Sequence, residues 1–156
     1  MRRCLKTWQR SLSLVLIFCF TSACDESPAG PSAVGSVEQL VQAVRREGLN
    51  ATLGGGTNAN VLPFFTVAAR PILVDGSTIH AFEYPSAEAA ATDVTLMKRD
   101  GQPAVPTVIT WVSTPRFYRR DQLIVLYVGC SPAIIEALDR TMGLAFAVGN
   151  TPCQRR

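Results

Sequence analysis

Few side chains in this chain could carry out catalysis, because it holds one histidine, His80, and five cysteines among 156 residues. A histidine beside a serine or cysteine nucleophile is the usual arrangement for hydrolysis or acyl transfer. Cys130 is the thiol with the best setting, since Ser131 and Pro132 behind it open a predicted helix, and a helix N-terminus lowers the pKa of a nearby thiol. An enzyme that uses Cys130 or His80 is therefore one hypothesis for this sequence.

Other features of the sequence weaken that hypothesis. No G-x-S-x-G motif supplies a serine nucleophile, and His80 falls inside a predicted strand, where a histidine is more often a half-exposed sheet residue. One histidine and two cysteines are too few for a convincing zinc site. The glycine run at residues 54–56 lacks the lysine and spacing of a phosphate-binding loop. We expect no cofactor and no metal, and we favour a protein without catalytic activity.

Residues 115–120, Pro-Arg-Phe-Tyr-Arg-Arg, are the densest mixture of cations and aromatic side chains. Guanidinium groups beside aromatic rings can bind a carboxylate, a sugar acid or a lipid phosphate. The alternative is the end of a hairpin that turns one aromatic side chain inward and leaves its arginines in solvent. The candidate ligand-binding residues are Trp111, Arg116, Phe117, Tyr118 and Arg119.

The amino-terminal 24 residues have the order of an export signal. A basic head with four cations precedes an apolar run at residues 12–20, and Thr21-Ser22-Ala23 lead to Cys24. The run is too short to cross a bilayer, which takes about 20 apolar residues. Small residues before a cysteine resemble the lipobox of bacterial lipoproteins, although Thr21 stands where leucine is usual. This resemblance implies removal of residues 1–23 and acylation of Cys24; ordinary cleavage after Ala23 is the alternative.

Removal of that signal peptide changes the charge balance. Residues 1–23 hold four of the 15 lysines and arginines and none of the 12 acidic residues, so the formal net charge falls from +3 to −1. A nearly neutral chain gives no support for a nucleic-acid partner. The partners we expect are the membrane, through the lipid anchor, and an unknown protein or small-molecule ligand. The expected location is the bacterial cell envelope, outside the cytoplasm.

Cleavage of the signal peptide before Cys24 would determine which of the five cysteines remain as free thiols. Cys4 and Cys19 belong to the signal peptide and Cys24 is the predicted acylation site, so Cys130 and Cys153 remain. Two thiols left in an exported chain usually pair as a disulfide. Closing this loop would stabilise the folded state by roughly 3 kcal/mol in the chain-entropy model. A reactive thiol at Cys130 is the alternative.

Local patterns predict one α+β domain over residues 36–150, after a flexible tether at residues 24–35 and before a tail at residues 151–156. Ser36, Ser86 and Ser131 cap three predicted helices, the second of which reaches about residue 98. Asp75-Gly76 predicts a two-residue hairpin turn. We expect an antiparallel sheet of about four to five strands packed with three helices, in the order α-β-ββ-α-β-β-α. Strands are predicted at residues 50–53, 64–74, 77–84, 107–113 with 116–120, and 123–128.

Two stretches carry a wider resemblance. Residues 80–90 (His-Ala-Phe-Glu-Tyr-Pro-Ser-Ala-Glu-Ala-Ala) and 116–129 (Arg-Phe-Tyr-Arg-Arg-Asp-Gln-Leu-Ile-Val-Leu-Tyr-Val-Gly) are similar to those of a family of small bacterial lipoproteins. The similarity covers most of residues 36–148. It implies a lipid-anchored domain with this order of elements and assigns no activity. The sequence thus predicts a lipid-anchored extracytoplasmic binding or accessory module; the alternative is a small extracytoplasmic enzyme.

Overall fold

The computed structural model describes residues 34–58 and 60–153, which contain three helices and a six-stranded sheet. All five strand pairings are antiparallel, and the strand order is β1-β2-β3-β5-β4-β6. The α+β class is confirmed, whereas the predicted four to five strands are not. The signal peptide, Cys24 and residues 25–33 of the tether lie outside the described residues. The elements are α1 (Val37–Arg46), β1 (Ala51–Leu53), β2 (Arg70–Val74), β3 (Ser77–Glu83), α2 (Ala87–Val94), β4 (Pro115–Arg120), β5 (Leu123–Val128), α3 (Pro132–Met142) and β6 (Ala147–Val148).

Two tight turns build the centre of the sheet. Asp75 and Gly76 both have positive φ, 46° and 77°, as a two-residue hairpin turn requires, so the predicted β2–β3 hairpin is confirmed. Asp121, with φ of 49°, starts the turn between β4 and β5. β5 lies between β3 and β4, and its residues Leu123 to Tyr127 are all buried. Side chains of β5 therefore reach both faces of the sheet into packed core.

The two faces of the sheet are covered differently. One face, here the helix face, carries α1 and α3, which pack on β-strand residues such as Ile72, Val125 and Tyr127. The opposite face, here the loop face, is covered by α2 and by the loops at residues 61–67 and 96–111, over Phe82 and Leu126. None of the helices in the described part of the chain is long and apolar enough to span a bilayer.

Helix α1 begins as the sequence predicts. Ser36 Oγ accepts a hydrogen bond from the Gln39 N–H at 3.2 Å, and Gln39 Oε1 accepts one from the Gly35 N–H at 2.8 Å. These bonds satisfy backbone donors that a helix start leaves free. The predicted apolar stripe is buried against the sheet, and consists of Val37, Leu40, Val41 and Val44.

The buried carboxylate of Asp93 connects the segments that cover the loop face. Asp93 of α2 is only 1% exposed, and its Oδ2 atom accepts hydrogen bonds from the Thr66 N–H at 2.6 Å, the Thr66 hydroxyl at 3.0 Å and the Tyr84 hydroxyl at 2.9 Å. Burial and the Asp93 carboxylate raise the pKa of Tyr84. This network ties the loop at residues 61–67 to α2 and to the end of β3.

Three predicted elements differ from the structure. Residues 107–113 form no ladder with any described strand, and β4 begins only at Pro115, where a strand tolerates the missing N–H. Residues 64–68 are loop and Ala69 forms only an isolated bridge with Asn58, so β2 is shorter than expected. Helix α2 ends at Val94 instead of near residue 98. The two-residue strand β6 had no sequence signal. Tertiary packing decides where each of these elements begins and ends, and local patterns alone do not.

Candidate functional site

In the part of the chain that the structure describes, neither group proposed for catalysis has the partners that catalysis would need. Cys130 and Cys153 lie at disulfide distance, with Cα atoms 5.7 Å apart, so Cys130 offers no free thiol. His80 Nδ1 is buried and has no hydrogen-bond partner among the described residues; burial lowers its pKa, which favours the neutral ring. Its cross-strand neighbours are Pro71 and Leu126. Residues 34–58 and 60–153 contain no cluster of histidine, cysteine or acidic side chains that could hold a metal ion.

The aromatic residues predicted for ligand binding are separated by the alternation of β4. Phe117 and Tyr118 are both fully buried, Phe117 in the core of the loop face and Tyr118 in that of the helix face. Among the five candidate residues, Trp111 packs against Phe117 in an edge-to-face arrangement, with ring centroids 5.9 Å apart. Burial and the nearby Asp139 raise the pKa of Tyr118, so this phenol stays protonated. The five candidate residues therefore do not share one surface.

The arginines of β4 each donate to a backbone carbonyl of another segment. Arg116 Nη1 lies 3.0 Å from the Gly129 oxygen, and Arg119 Nη2 lies 3.0 Å from the Ala87 oxygen. Arg120 donates in the same way to a carbonyl near the end of α3. These bonds connect β4 to the end of β5, to the start of α2 and to the end of α3, so the guanidinium groups contribute to the fold.

Residues 102–114 form a loop whose ends meet, here the omega loop. A Cβ atom on Gly101, which has φ of 74°, would lie 3.1 Å from Pro115 Cγ and 3.2 Å from the Gly149 nitrogen. The two ends of the loop are thus in close contact beside β6. Trp111 Nε1 donates to the Gly101 oxygen at 3.0 Å, which fixes the loop from inside.

The carboxyl-terminal base of the omega loop is tied to the cysteine pair. Ser113 Oγ lies 3.2 Å from Cys130 Sγ, and the Thr114 oxygen accepts from the Gly129 N–H at 3.1 Å. The Thr114 hydroxyl also donates to the Thr151 oxygen. The Cys130–Cys153 pair therefore holds the loop base, the start of α3 and the carboxyl-terminal segment together.

The outward side of the omega loop is an exposed, uncharged row. Burial alternates along residues 108–112: Ile109 and Trp111 are half-buried and pack on the core of the loop face, whereas Val108, Thr110 and Val112 face solvent. Val108 is 86% exposed and Val112 84%. Residues 102–114 contain no charged side chain. We call Val108, Thr110 and Val112 the outer row.

The backbone groups of residues 108–113 make few hydrogen bonds with the rest of the described chain. Within the described part of the chain, the Ile109 oxygen accepts from Gln102 Nε2 at 3.3 Å, and no N–H group from Val108 to Ser113 donates a hydrogen bond. The burial of residues 108–112 alternates with a period of two, but the chain bends at Val112 and Ser113, so these residues form an irregular loop on the surface.

No protein-family model, curated protein or solved structure matches this chain. The site is therefore defined by its own geometry. Sequence reasoning included Trp111 but missed Val108, Thr110 and Val112, because it placed them in a strand of the sheet. The sequence gave little signal, because Val108, Ile109, Trp111 and Val112 are all apolar and their pattern does not say which of them face solvent.

Proposed function

We propose that this chain is a lipid-anchored, extracytoplasmic binding domain without catalytic activity, and that the omega loop is its contact surface. The observation that carries the proposal is the outer row, in which two valines exposed above 80% lie on one side of an uncharged, firmly held loop. Loops fixed to a rigid scaffold commonly carry binding functions. The lipid attachment is proposed at Cys24.

The location is supported by two independent features. The order of basic head, apolar run and small residues before Cys24 is typical of an exported lipoprotein, and the Cys130–Cys153 pair suits an oxidising compartment. We also propose that the chain is one of the small bacterial lipoproteins that residues 80–90 and 116–129 resemble. In this setting the tether at residues 24–35 would link the membrane to α1.

Binding at the omega loop would be energetically favourable for two reasons. Complete burial of an exposed valine side chain contributes about 1.5–3 kcal/mol, and the row has two. The loop is already ordered by Trp111, by the contact of Gly101 with Pro115 and by the cysteine pair, so a partner would not have to fix its conformation.

Site-specific photocrosslinking tests the contact surface in the full chain inside the cell. A photoreactive amino acid at Val108 should form a covalent adduct with the binding partner. The same group at Leu144 should not, although Leu144 is 85% exposed, because it lies towards the Arg120 end of β4 and away from the loop base. Absence of any adduct at Val108, or equal adducts at both positions, would contradict the proposal.

The anchor has its own test. Cys24→Ala should abolish incorporation of labelled fatty acid and leave the precursor uncleaved by the lipoprotein peptidase. Unchanged processing would support conventional cleavage after Ala23 and would remove the anchor from the proposal.

A further inference from the structure

We propose that the Cys130–Cys153 disulfide is a redox site with a fixed direction of exchange, in which an external dithiol attacks Cys153 and Cys130 leaves as the thiolate. This inference goes beyond the proposed function and does not depend on the omega loop being a contact surface. It gives different chemical roles to two cysteines that would be equivalent in a purely structural bridge.

The two cysteines differ in their access to solvent. Cys153 is exposed, whereas Cys130 is half-buried in the connection between β5 and α3. The Gly149 N–H still donates to the Pro115 oxygen at 2.9 Å, but beyond Gly149 the disulfide and the bond to the Thr151 oxygen hold the described segment. Thiol exchange requires access to the sulfur that is attacked. An external thiolate therefore reaches Cys153 more easily than Cys130.

A hydrogen-bond donor and a positive charge lie beside Cys130. A disulfide sulfur carries no proton, so the Ser113 hydroxyl, 3.2 Å from Cys130 Sγ, is the donor in that contact. The Arg116 guanidinium donates at 3.0 Å to the oxygen of Gly129, the residue before Cys130. The adjoining stretches contain no acidic residue, namely residues 113–115, 129–133 and 149–153. A thiolate formed at Cys130 would be stabilised by the hydroxyl and the nearby cation.

Cys153 lacks an equivalent donor among the described residues. Thr114 Oγ1 lies 3.5 Å from Cys153 Sγ, but the single proton of this hydroxyl is used in the bond to the Thr151 oxygen. Cys130 also directly precedes the N-cap of α3, where the helix dipole favours an anion. The better stabilised thiolate is the better leaving group. Charge stabilisation and access therefore favour the same direction of exchange.

The exchange balances in two steps. The thiolate of the dithiol bonds to Cys153 Sγ while the bond between the two cysteines breaks, and Cys130 keeps the electron pair as a thiolate. The second thiol of the reductant loses its proton to solvent and attacks the reductant sulfur of the mixed disulfide, which releases Cys153 to take a proton from solvent. The pair gains two electrons and the dithiol becomes a disulfide. In the reverse reaction, the Cys130 thiolate attacks the mixed disulfide at Cys153 and re-forms the pair.

Mapping of the mixed disulfide tests which sulfur is attacked. The full chain, purified in detergent, is treated with reduced glutathione, its free thiols are blocked with N-ethylmaleimide, and its peptides are identified by mass spectrometry. We expect glutathione on Cys153 and the maleimide on Cys130. The chain unfolded in urea is the control, and there glutathione should be found on both cysteines, because the difference in access and the Ser113 contact are lost.

Two serine variants test the leaving group. Ser113→Ala removes the donor to Cys130 Sγ and should slow reduction by dithiothreitol about threefold or more, since a thiolate without that hydrogen bond leaves more slowly. Ser131→Ala is the matched control on the other side of Cys130. The Ser131 side chain makes no capping hydrogen bond at the start of α3, so this variant should be reduced at the wild-type rate. Circular dichroism verifies that both variants fold.

Several results would overturn this inference. Glutathione on Cys130, or equally on both cysteines of the folded chain, would contradict the direction of exchange. Reduction of Ser113→Ala at the wild-type rate, or an equal slowing of Ser131→Ala, would contradict the role of the Ser113 hydroxyl. A folded chain that resists both reagents, although the unfolded chain is reduced, would show a purely structural bridge. Photocrosslinking at Val108 tests the binding function separately, and none of these results changes its outcome.

Discussion

Replacement of Tyr84 by phenylalanine tests whether the buried Asp93 network holds the loop face. The change removes one hydroxyl, which donates to Asp93 Oδ2 at 2.9 Å, and leaves the ring in place. Hydrogen bonds to charged groups contribute about 1.5–3 kcal/mol each. Because Asp93 is 1% exposed, water cannot replace the lost donor. At pH 7 we therefore expect Tyr84→Phe to lower the free energy of unfolding by about 2 kcal/mol.

The pH dependence supplies a second signature of the same bond. Burial, followed by the hydrogen bond to Asp93, raises the pKa of Tyr84 from its model-compound value of 10.0. Above about pH 10 the unfolded chain therefore releases a proton that the folded chain keeps, and stability falls by about 1.4 kcal/mol per pH unit. Tyr118, whose pKa is also raised by burial, adds an equal slope. Tyr84→Phe should remove one of the two slopes.

Urea denaturation followed by circular dichroism at pH 7 and pH 11 measures both effects. The difference between the wild type and Tyr84→Phe should shrink from about 2 kcal/mol at pH 7 to less than about 1 kcal/mol at pH 11. Tyr127→Phe is a control for loss of a neutral bond, since its hydroxyl accepts from the Ser131 N–H at 3.1 Å, and it should cost only about 0.5–1.5 kcal/mol. A Tyr84→Phe variant as stable as the wild type at pH 7, or a difference that does not change with pH, would refute this reasoning.

Three further predictions concern the core, the arginines and the cysteine pair. Leu126→Ala in β5 should lower the free energy of unfolding by about 2–5 kcal/mol in urea denaturation, because it leaves a cavity in the core of the loop face. Arg116→Ala combined with Arg119→Ala should cost about 1–3 kcal/mol in the same assay, since two hydrogen bonds to carbonyls are lost; a loss as large as that of Leu126→Ala would mean that more than these bonds is removed. Mass analysis without reductant should find no free thiol at Cys130 or Cys153, and replacement of both by serine should cost roughly 3 kcal/mol; a reactive thiol in the native chain would contradict the pairing.

The features that the sequence predicted correctly depend on neighbouring residues. Ser36 and Ser86 accept hydrogen bonds from the N–H groups three residues on, and Asp75-Gly76 forms the predicted hairpin turn. The apolar run of β5 indicated a central strand with cover on both faces, which the structure confirms. In each case a local pattern has one low-energy solution.

The features that sequence reasoning missed depend on partners distant in the chain. The β-branched residues at 107–113 predict an extended segment but cannot say whether a strand lies beside it. The cluster of cations and aromatics looked like one surface in sequence, yet the pleat of β4 sends Phe117 and Tyr118 to opposite faces, and carbonyls from other segments engage the arginines. The alternation of side chains along a strand could have predicted that Phe117 and Tyr118 face opposite sides of the sheet. The carbonyls that bind the arginines belong to other segments of the chain, so the sequence could not have identified them.

The close approach of Gly101 and Pro115 makes the exposed part of the omega loop tolerant of insertions. Because the chain leaves and re-enters the domain at one point, inserted or deleted residues would not alter the distance between the flanking segments. Doubling the length of such a loop costs only about 0.6 kcal/mol in closure entropy. A foreign peptide inserted at an exposed position such as Thr107 should therefore be displayed while the sheet is retained, whereas Ile109 and Trp111 must stay because they pack on the core of the loop face.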